Sequence, residues 1–159
     1  MISADSPGGR GSGPAAGLEV KKEIIDGQVR LSCGRCDFRF HRPRPGVLIA
    51  TIRGSDSGQF GTAALDEIRA EIGRQRPLEL FVDARDASGP TVKVSEEWTA
   101  FFDRSRSDLS RVYVLVGSKA LNLTVEIARH LSRTGNLIQI YSDPDLFESR
   151  LAQSSRPLR

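Results

Sequence analysis

The sequence predicts an α/β protein: a mixed, mostly parallel β-sheet with about four helices, preceded by an N-terminal β-hairpin. Three observations predict it. Four compact apolar runs, at residues 46–52, 78–82, 112–116 and 137–141, are each followed by a turn and a segment of helical period, the pattern of strands buried beneath crossover helices. Ahead of them lies an alternating apolar stretch broken by Asp26-Gly27, a type I′ hairpin signal. The chain's 159 residues, 38% of them hydrophobic, are enough for one well-filled domain with some sequence left over.

Taken in order, residues 1–17 are Gly, Ser, Pro and Ala with almost nothing to bury. Ordering them costs chain entropy without return, so a disordered tail is expected. Residues 18–37 are expected to form the hairpin, with Leu18, Val20, Ile24 and Ile25 before the turn and Val29 and Leu31 after it. Phe38 and Phe40 then alternate with Arg39 and His41 as a half-exposed strand. The loop 42–46 is short enough to make that strand the antiparallel neighbour of the run at 46–52.

Turn chemistry at 53–58 precedes a first helix from about Thr62 to Ile72, with Leu65, Ile68 and Ile72 on one face. After the run at 78–82, a polar loop through Ser88-Gly89-Pro90 leads to a second helix. Ser95 is placed as its N-cap, Glu96 and Glu97 at the positive end of its dipole, and Trp98, Phe101, Phe102 and Leu109 as its buried stripe. A third helix carries Leu123, Ile127 and Leu131 on one face, Arg129, His130 and Arg133 in its last turns, and Gly135 as its left-handed C′ residue. The last helix takes Asp143 as N-cap and Pro144 as first residue and buries Leu146, Phe147 and Leu151. Residues 153–159 are expected to be a flexible C-terminal tail, which leaves 38–152 as the main domain.

Composition narrows the function classes. A net charge of +3 with both signs interspersed gives no basic face, and 6% aromatics, mostly at core-like positions, weigh against a nucleic-acid partner. No window approaches the roughly 18 apolar residues of a membrane span, and residues 1–17 lack the apolar stretch of a signal peptide. Cys33 and Cys36 are too few for a disulfide framework and suit a reducing compartment, so a cytoplasmic location is expected.

Several constellations could carry chemistry. Asp83 and Asp86 end one buried run, and Ser118-Lys119 end the next, where ligands gather in open α/β sheets. With Asp56 they supply the parts of a phospho-acceptor or phosphate loop: carboxylates for Mg²⁺, a hydroxyl and a lysine for phosphate oxygens. The order of segments departs from known aspartyl-phosphate folds, and Gly117-Ser118-Lys119 lacks the upstream glycine of a P-loop. Cys33-Gly34-Arg35-Cys36 has metal-ligand spacing with His41 nearby, but no second cysteine pair completes a structural zinc set. His41 and His130 have no evident nucleophile partner. No catalytic residue, metal or cofactor is assigned.

The segment from Phe38 to Ala152 resembles the STAS domain, the fold of bacterial anti-sigma factor antagonists, and more closely the single-domain SpoIIAA-like, STAS/Sec14-like group. The resemblance rests on Leu80-Phe81-Val82-Asp83-Ala84-Arg85-Asp86, on the strand 112–117, and on the closing Ser132-Arg133-Thr134-Gly135 before the last strand and helix. It implies a non-enzymatic regulatory module working by protein–protein contact. Antagonists of the sporulation type present an Asp-Ser-Ser-Gly-like motif, phosphorylated by a partner kinase, at the start of the helix after the third strand. Here that region reads Gly89-Pro90-Thr91-Val92-Lys93-Val94-Ser95, and Ser88-Gly89 comes too early to match. Ser88, Thr91 and Ser95 are therefore the candidate interaction or phosphorylation face, and Asp83, Asp86, Ser118 and Lys119 the candidate ligand or phosphate loop. The expected partner is an anti-sigma factor, kinase-like or other switch protein, with homodimerisation left open. The alternatives are a module binding a small apolar, lipid-like ligand beneath the Trp98 stripe or a nucleotide, and, further off, a phosphoryl-acceptor enzyme.

Overall fold

The computed structural model describes residues 19–156; the tail at 1–17, Leu18 and residues 157–159 lie outside the described residues. Asp26 and Gly27 both take positive φ, 52° and 78°, as a type I′ turn requires. They fold β1 (Lys21–Ile25) back on β2 (Gln28–Cys33). A second tight turn at Gly34-Arg35 sets Cys36, at the start of β3 (Cys36–Arg44), directly opposite Cys33. β3 pairs antiparallel with β4 (Val47–Gly54).

The loop expected at 42–46 contracts to Pro45-Gly46, because β3 continues through an irregularity in register between His41 and Arg44. That irregularity has a partner across the sheet: Arg42 Nε lies 2.6 Å from the Glu71 carboxylate, which is buried on the first helix. A bulge re-aims a side chain at the cost of one ladder position, and here it supplies the charge that a buried carboxylate needs.

From β4 onward every neighbour is parallel. β4, β5 (Leu78–Ala87), β6 (Leu109–Val116) and β7 (Ile138–Tyr141) are joined by α1 (Ala63–Arg74), α2 (Val92–Arg104) and α3 (Lys119–Leu131), and the sheet order is β1-β2-β3-β4-β5-β6-β7. The hairpin is thus continuous with the main sheet and forms no separate layer. Strand alternation sorts the core into two. Leu80, Val82 and Ala84 of β5 and Val112, Val114 and Val116 of β6 pack with α1, α2 and α3; Phe81, Tyr113 and Leu115 pack with Phe147 of α4 (Pro144–Ser154) on the opposite face. One-handed crossovers between adjacent parallel strands put all three connecting helices on one side, leaving α4 to cover the other. Phe81 stacks on Tyr113 at 4.6 Å and meets Phe147 edge-on at 5.8 Å. Burying Phe147 alone stabilises by roughly 1.5–3 kcal/mol.

The helix termini depart from expectation in instructive ways. α2 is capped by Thr91, whose Oγ1 accepts from the Val94 amide at 3.4 Å; Ser95 lies inside the first turn. Starting there places Val94, Trp98, Phe101 and Phe102 on one helical face, which a cap at Ser95 would not do for Val94. Leu109 belongs to β6. On α3 the face against the protein is Leu121, Val125, Ala128 and the buried Ser132 just beyond, whereas Leu123, Ile127 and Leu131 are 61%, 50% and 63% exposed.

Both ends of α3 fix that rotation. Ser118 Oγ accepts from the Leu121 amide, and the buried hydroxyls of Ser132 and Thr134 lie 2.6 Å apart beneath the last turn. The left-handed C′ residue is Arg133, at φ 58°, and not Gly135. The Arg133 amide donates to His130 O and the Thr134 amide to Arg129 O, the two bonds of a Schellman ending.

α4 begins as expected, with Asp143 Oδ1 accepting from the Asp145 amide. It turns Leu146 to solvent and Phe147 inward. It also runs through Gln153 and Ser154, which the sequence assigned to a flexible tail: Arg44 Nε donates to the Ser154 carbonyl at 2.6 Å, tying the helix end to β3.

Gly117, where β6 leaves the sheet, has room for no side chain: a Cβ there would lie 2.2 Å from the Arg85 carbonyl oxygen of β5. Gly117→Ala is expected to lower stability by about 1–3 kcal/mol through forced separation of the two strands. In thermal denaturation it should lose several degrees of Tm, while Gly89→Ala, where a Cβ meets nothing within 4 Å, should lose little.

Candidate functional site

The two buried strands narrow as they leave the core. After Leu80 and Val82, β5 offers Ala84 and Ala87 to the three-helix side, and α3 opposite them carries Thr124 and Ala128. Small residues on both surfaces leave a cavity of about 100 Å³ between the sheet, α2 and α3. Its aromatic wall is Phe38, Trp98 and Phe102. Trp98 lies nearly parallel to Phe38 at 6.4 Å and tilted against Phe102 at 5.9 Å.

The mouth is built by the loops that follow β4 and β5. The Ser88 amide donates to Gly54 O at 2.9 Å and the Thr91 amide to Asp56 O at 3.4 Å, so the Asp56 loop is stitched to the start of α2. Asp56, Ser88, Pro90 and Ser95 border the cavity, whose lined surface is almost wholly apolar. One carboxylate oxygen accepts from the Gly58 amide at 2.9 Å. Burial pushes the Asp56 carboxyl above its ordinary range, the Gly58 bond partly offsets this, and the nearby Glu97 charge adds to it.

The structure separates the residues that the sequence placed in one phosphate or ligand loop. Asp83 alternates with Val82 and Ala84 and so faces the α4 side. Its Oδ1 accepts from both the backbone amide and Nε of Arg85, at 3.2 and 3.0 Å, and Arg85 also reaches Glu148 of α4 at 2.6 Å. Those two hydrogen bonds hold the guanidinium charge in place, raising its pKa further. Asp86 is exposed, opposite Arg53 in register. Ser118 caps α3, and Lys119 is its exposed first residue. Asp56 is at the cavity, across the sheet from Asp83. Among the described residues no group of three or more His, Cys, Asp or Glu side chains is placed to hold a metal ion.

Of the candidate interaction face, Ser88 and Thr91 are exposed and Ser95 is half-buried against the cavity. Thr91 Oγ1 is occupied by its capping bond. Cys33 and Cys36 are free thiols buried in the core. Burial, then the charges of Asp56 and Asp37, pushes the Cys36 thiol up to about 12, so it stays protonated and unreactive at neutral pH. His41 and His130 are both exposed, on β3 and in the last turn of α3. On the α4 face, Arg150 bonds the Tyr113 hydroxyl at 2.9 Å and lies 3.5 Å from Glu79, a network the sequence reading missed; burial raises the Tyr113 pKa against the opposing pull of Arg150.

A carboxyl whose folded pKa is raised binds its proton more tightly folded than unfolded. Its contribution to stability is present at low pH and is lost as pH rises through the folded value. Asp56→Asn keeps the oxygen that accepts from Gly58 and removes the charge. It is therefore expected to raise Tm at pH 7, with the gain vanishing below the ordinary carboxyl value of 3.8, as thermal scans across pH would show.

No protein-family model matches this chain, and no curated protein matches it in sequence. Among solved structures it is similar to an anti-sigma factor antagonist from Mycobacterium paratuberculosis, with a TM-score of 0.51 and 13% identity over 74% of this chain and 94% of that one. It is also similar to an uncharacterised protein with a SpoIIAA-like fold from Shewanella loihica, with a TM-score of 0.49 and 10% identity over 84% and 93% of the two chains. The mixed sheet, its three same-side crossover helices and the likeness to the mycobacterial protein together show that this chain has the fold of that anti-sigma factor antagonist.

Proposed function

We propose that this chain is a non-enzymatic regulatory module that works by contact with a switch-type protein partner, through the rim formed by Ser88, Thr91, Val92 and Lys93. One observation carries the reading: Ser88, Val92 and Lys93 are exposed together at the start of α2, while several of the groups that could perform chemistry are engaged in holding the fold. Asp83 is held by Arg85, Ser118 and Thr91 cap helices, and both thiols are buried. Val92, at the start of α2, is 75% exposed. It is the most exposed of the large apolar side chains among the described residues. The likeness to an anti-sigma factor antagonist supports a protein as the partner. The two unpaired thiols support the cytoplasm as the compartment. Among the described residues no helix is long and apolar enough to cross a membrane.

If the module is switched by phosphorylation, Ser88 is the proposed acceptor of the three hydroxyls. It is exposed, and a phosphate there lies just ahead of the α2 N-terminus, whose dipole favours negative charge. Thr91 would have to give up its cap, and Ser95 is inside the helix.

A photo-crosslinking residue at position 92, introduced into the full chain in its native host, is expected to trap a kinase or other switch protein. The same residue at position 146, exposed on α4 across the sheet, is not. Trapping of nothing from position 92, or of the same proteins from both positions, contradicts the reading.

A further inference from the structure

We propose that the cavity between the sheet, α2 and α3 is a binding site for a neutral, hydrocarbon-like molecule about the size of one aromatic ring. This goes beyond the partner-contact reading and does not depend on it.

The lining decides the chemistry. Its surface is almost wholly apolar, with Phe38, Trp98 and Phe102 as an aromatic wall and Val82, Val114 and Leu121 around them. Two of the polar groups that border it are engaged elsewhere. The Thr124 hydroxyl donates to the Ala120 carbonyl of its own helix at 3.1 Å, and one Asp56 carboxylate oxygen accepts from the Gly58 amide at 2.9 Å. A charged or strongly hydrogen-bonding ligand would give up its water shell and find no partner inside. Water itself is no better served, since an apolar cavity of this kind stays dry.

Size decides which apolar molecule. At about 100 Å³ the space is somewhat below the roughly 150 Å³ of a cavity that accepts benzene, and far below the roughly 300–1,000 Å³ of sites for drug-sized ligands. A single ring enters with slight movement of the walls; a nucleotide or a whole acyl chain does not. The gap also supplies the driving force. Ala84 and Ala87 on β5 and Ala128 on α3 leave dispersion contacts unmade, and an occupant recovers them. Trp98 and Phe102 lie tilted against each other at 5.9 Å, so their rings offer a further ring edge-to-face or offset contact that an open chain of equal volume lacks.

Trp98 is the chain's single tryptophan and lines the cavity, so its fluorescence reports occupancy. The full chain is titrated with toluene, benzyl alcohol, benzylammonium and benzoate, which share a ring and differ in polarity and charge, and with hexadecanoate as a long-chain probe. Expected is a saturable change with toluene, at least roughly tenfold weaker binding of benzyl alcohol, and no saturable binding of the two ions or the fatty acid in the same concentration range. Val125→Phe on α3 and Ala87→Leu on β5 each fill the space and should each abolish the toluene response. Absence of saturable toluene binding, equal affinity for toluene and its polar analogues, tighter binding of hexadecanoate than of toluene, or an undiminished response in a folded filling variant overturns the proposal. Should one variant fail to fold, the other and the probe series still decide it.

Discussion

The constraint on which the rest of this molecule depends is that β5 and β6 have solvent on neither face. Leu80, Val82, Val112 and Val114 need a cover on one side, and Phe81, Tyr113 and Leu115 need one on the other. Three crossover helices meet the first need as a consequence of chain direction. The second falls to α4, so a helix of eleven residues at the chain's end is structural and not an appendage. Its anchoring reflects this: Phe147 enters the second core, Arg150 bonds Tyr113, and Arg44 holds the Ser154 carbonyl. At the same strand ends Gly117 lets β6 close against β5 where any side chain would push them apart.

The same pair of strands also creates the space that makes the molecule more than a packed sandwich. Where β5 changes from Leu80 and Val82 to Ala84 and Ala87, α2 and α3 no longer find enough volume beneath them, and the cavity opens. A protein interior is normally filled to near crystal density, so such a gap forfeits dispersion contacts. α2 is consequently the helix with two duties. One face walls the cavity with Val94, Trp98 and Phe102, and its first turn carries the exposed rim proposed to meet a partner.

Local features were legible in the sequence and tertiary choices were not. Asp26-Gly27, Asp143-Pro144 and the continuous apolar runs state their structure within a few residues, because turn dihedrals, caps and two-sided burial are local matters. α3 was ambiguous by construction: Leu121, Val125 and Ala128 form one apolar stripe, Leu123, Ile127 and Leu131 another, and periodicity cannot say which meets the sheet. The caps of α2 turned on a similar choice, since Thr91 and Ser95 are equally good chemistry and only the burial of Val94 selects between them. The candidate phosphate loop was read from neighbouring carboxylates, yet strand alternation sends Asp83 to the α4 side while Asp56 stays at the cavity. The space beneath the Trp98 stripe was named from the sequence as a place for a small apolar ligand, but its extent was not legible. It consists of volume missing at Ala84, Ala87, Thr124 and Ala128, residues unremarkable one at a time.

A doubly buried strand pair thus carries the stability of this fold, while α2 lies over an unfilled space and opens more easily. Native-state hydrogen exchange tests it directly, because the free energy of opening is read amide by amide. Amides of β5 and β6 are expected to exchange only through global unfolding, whereas those in the α2 helix around Ser95 and Trp98 exchange through a local opening of lower free energy. Equal opening free energies for α2 and β5 would contradict it.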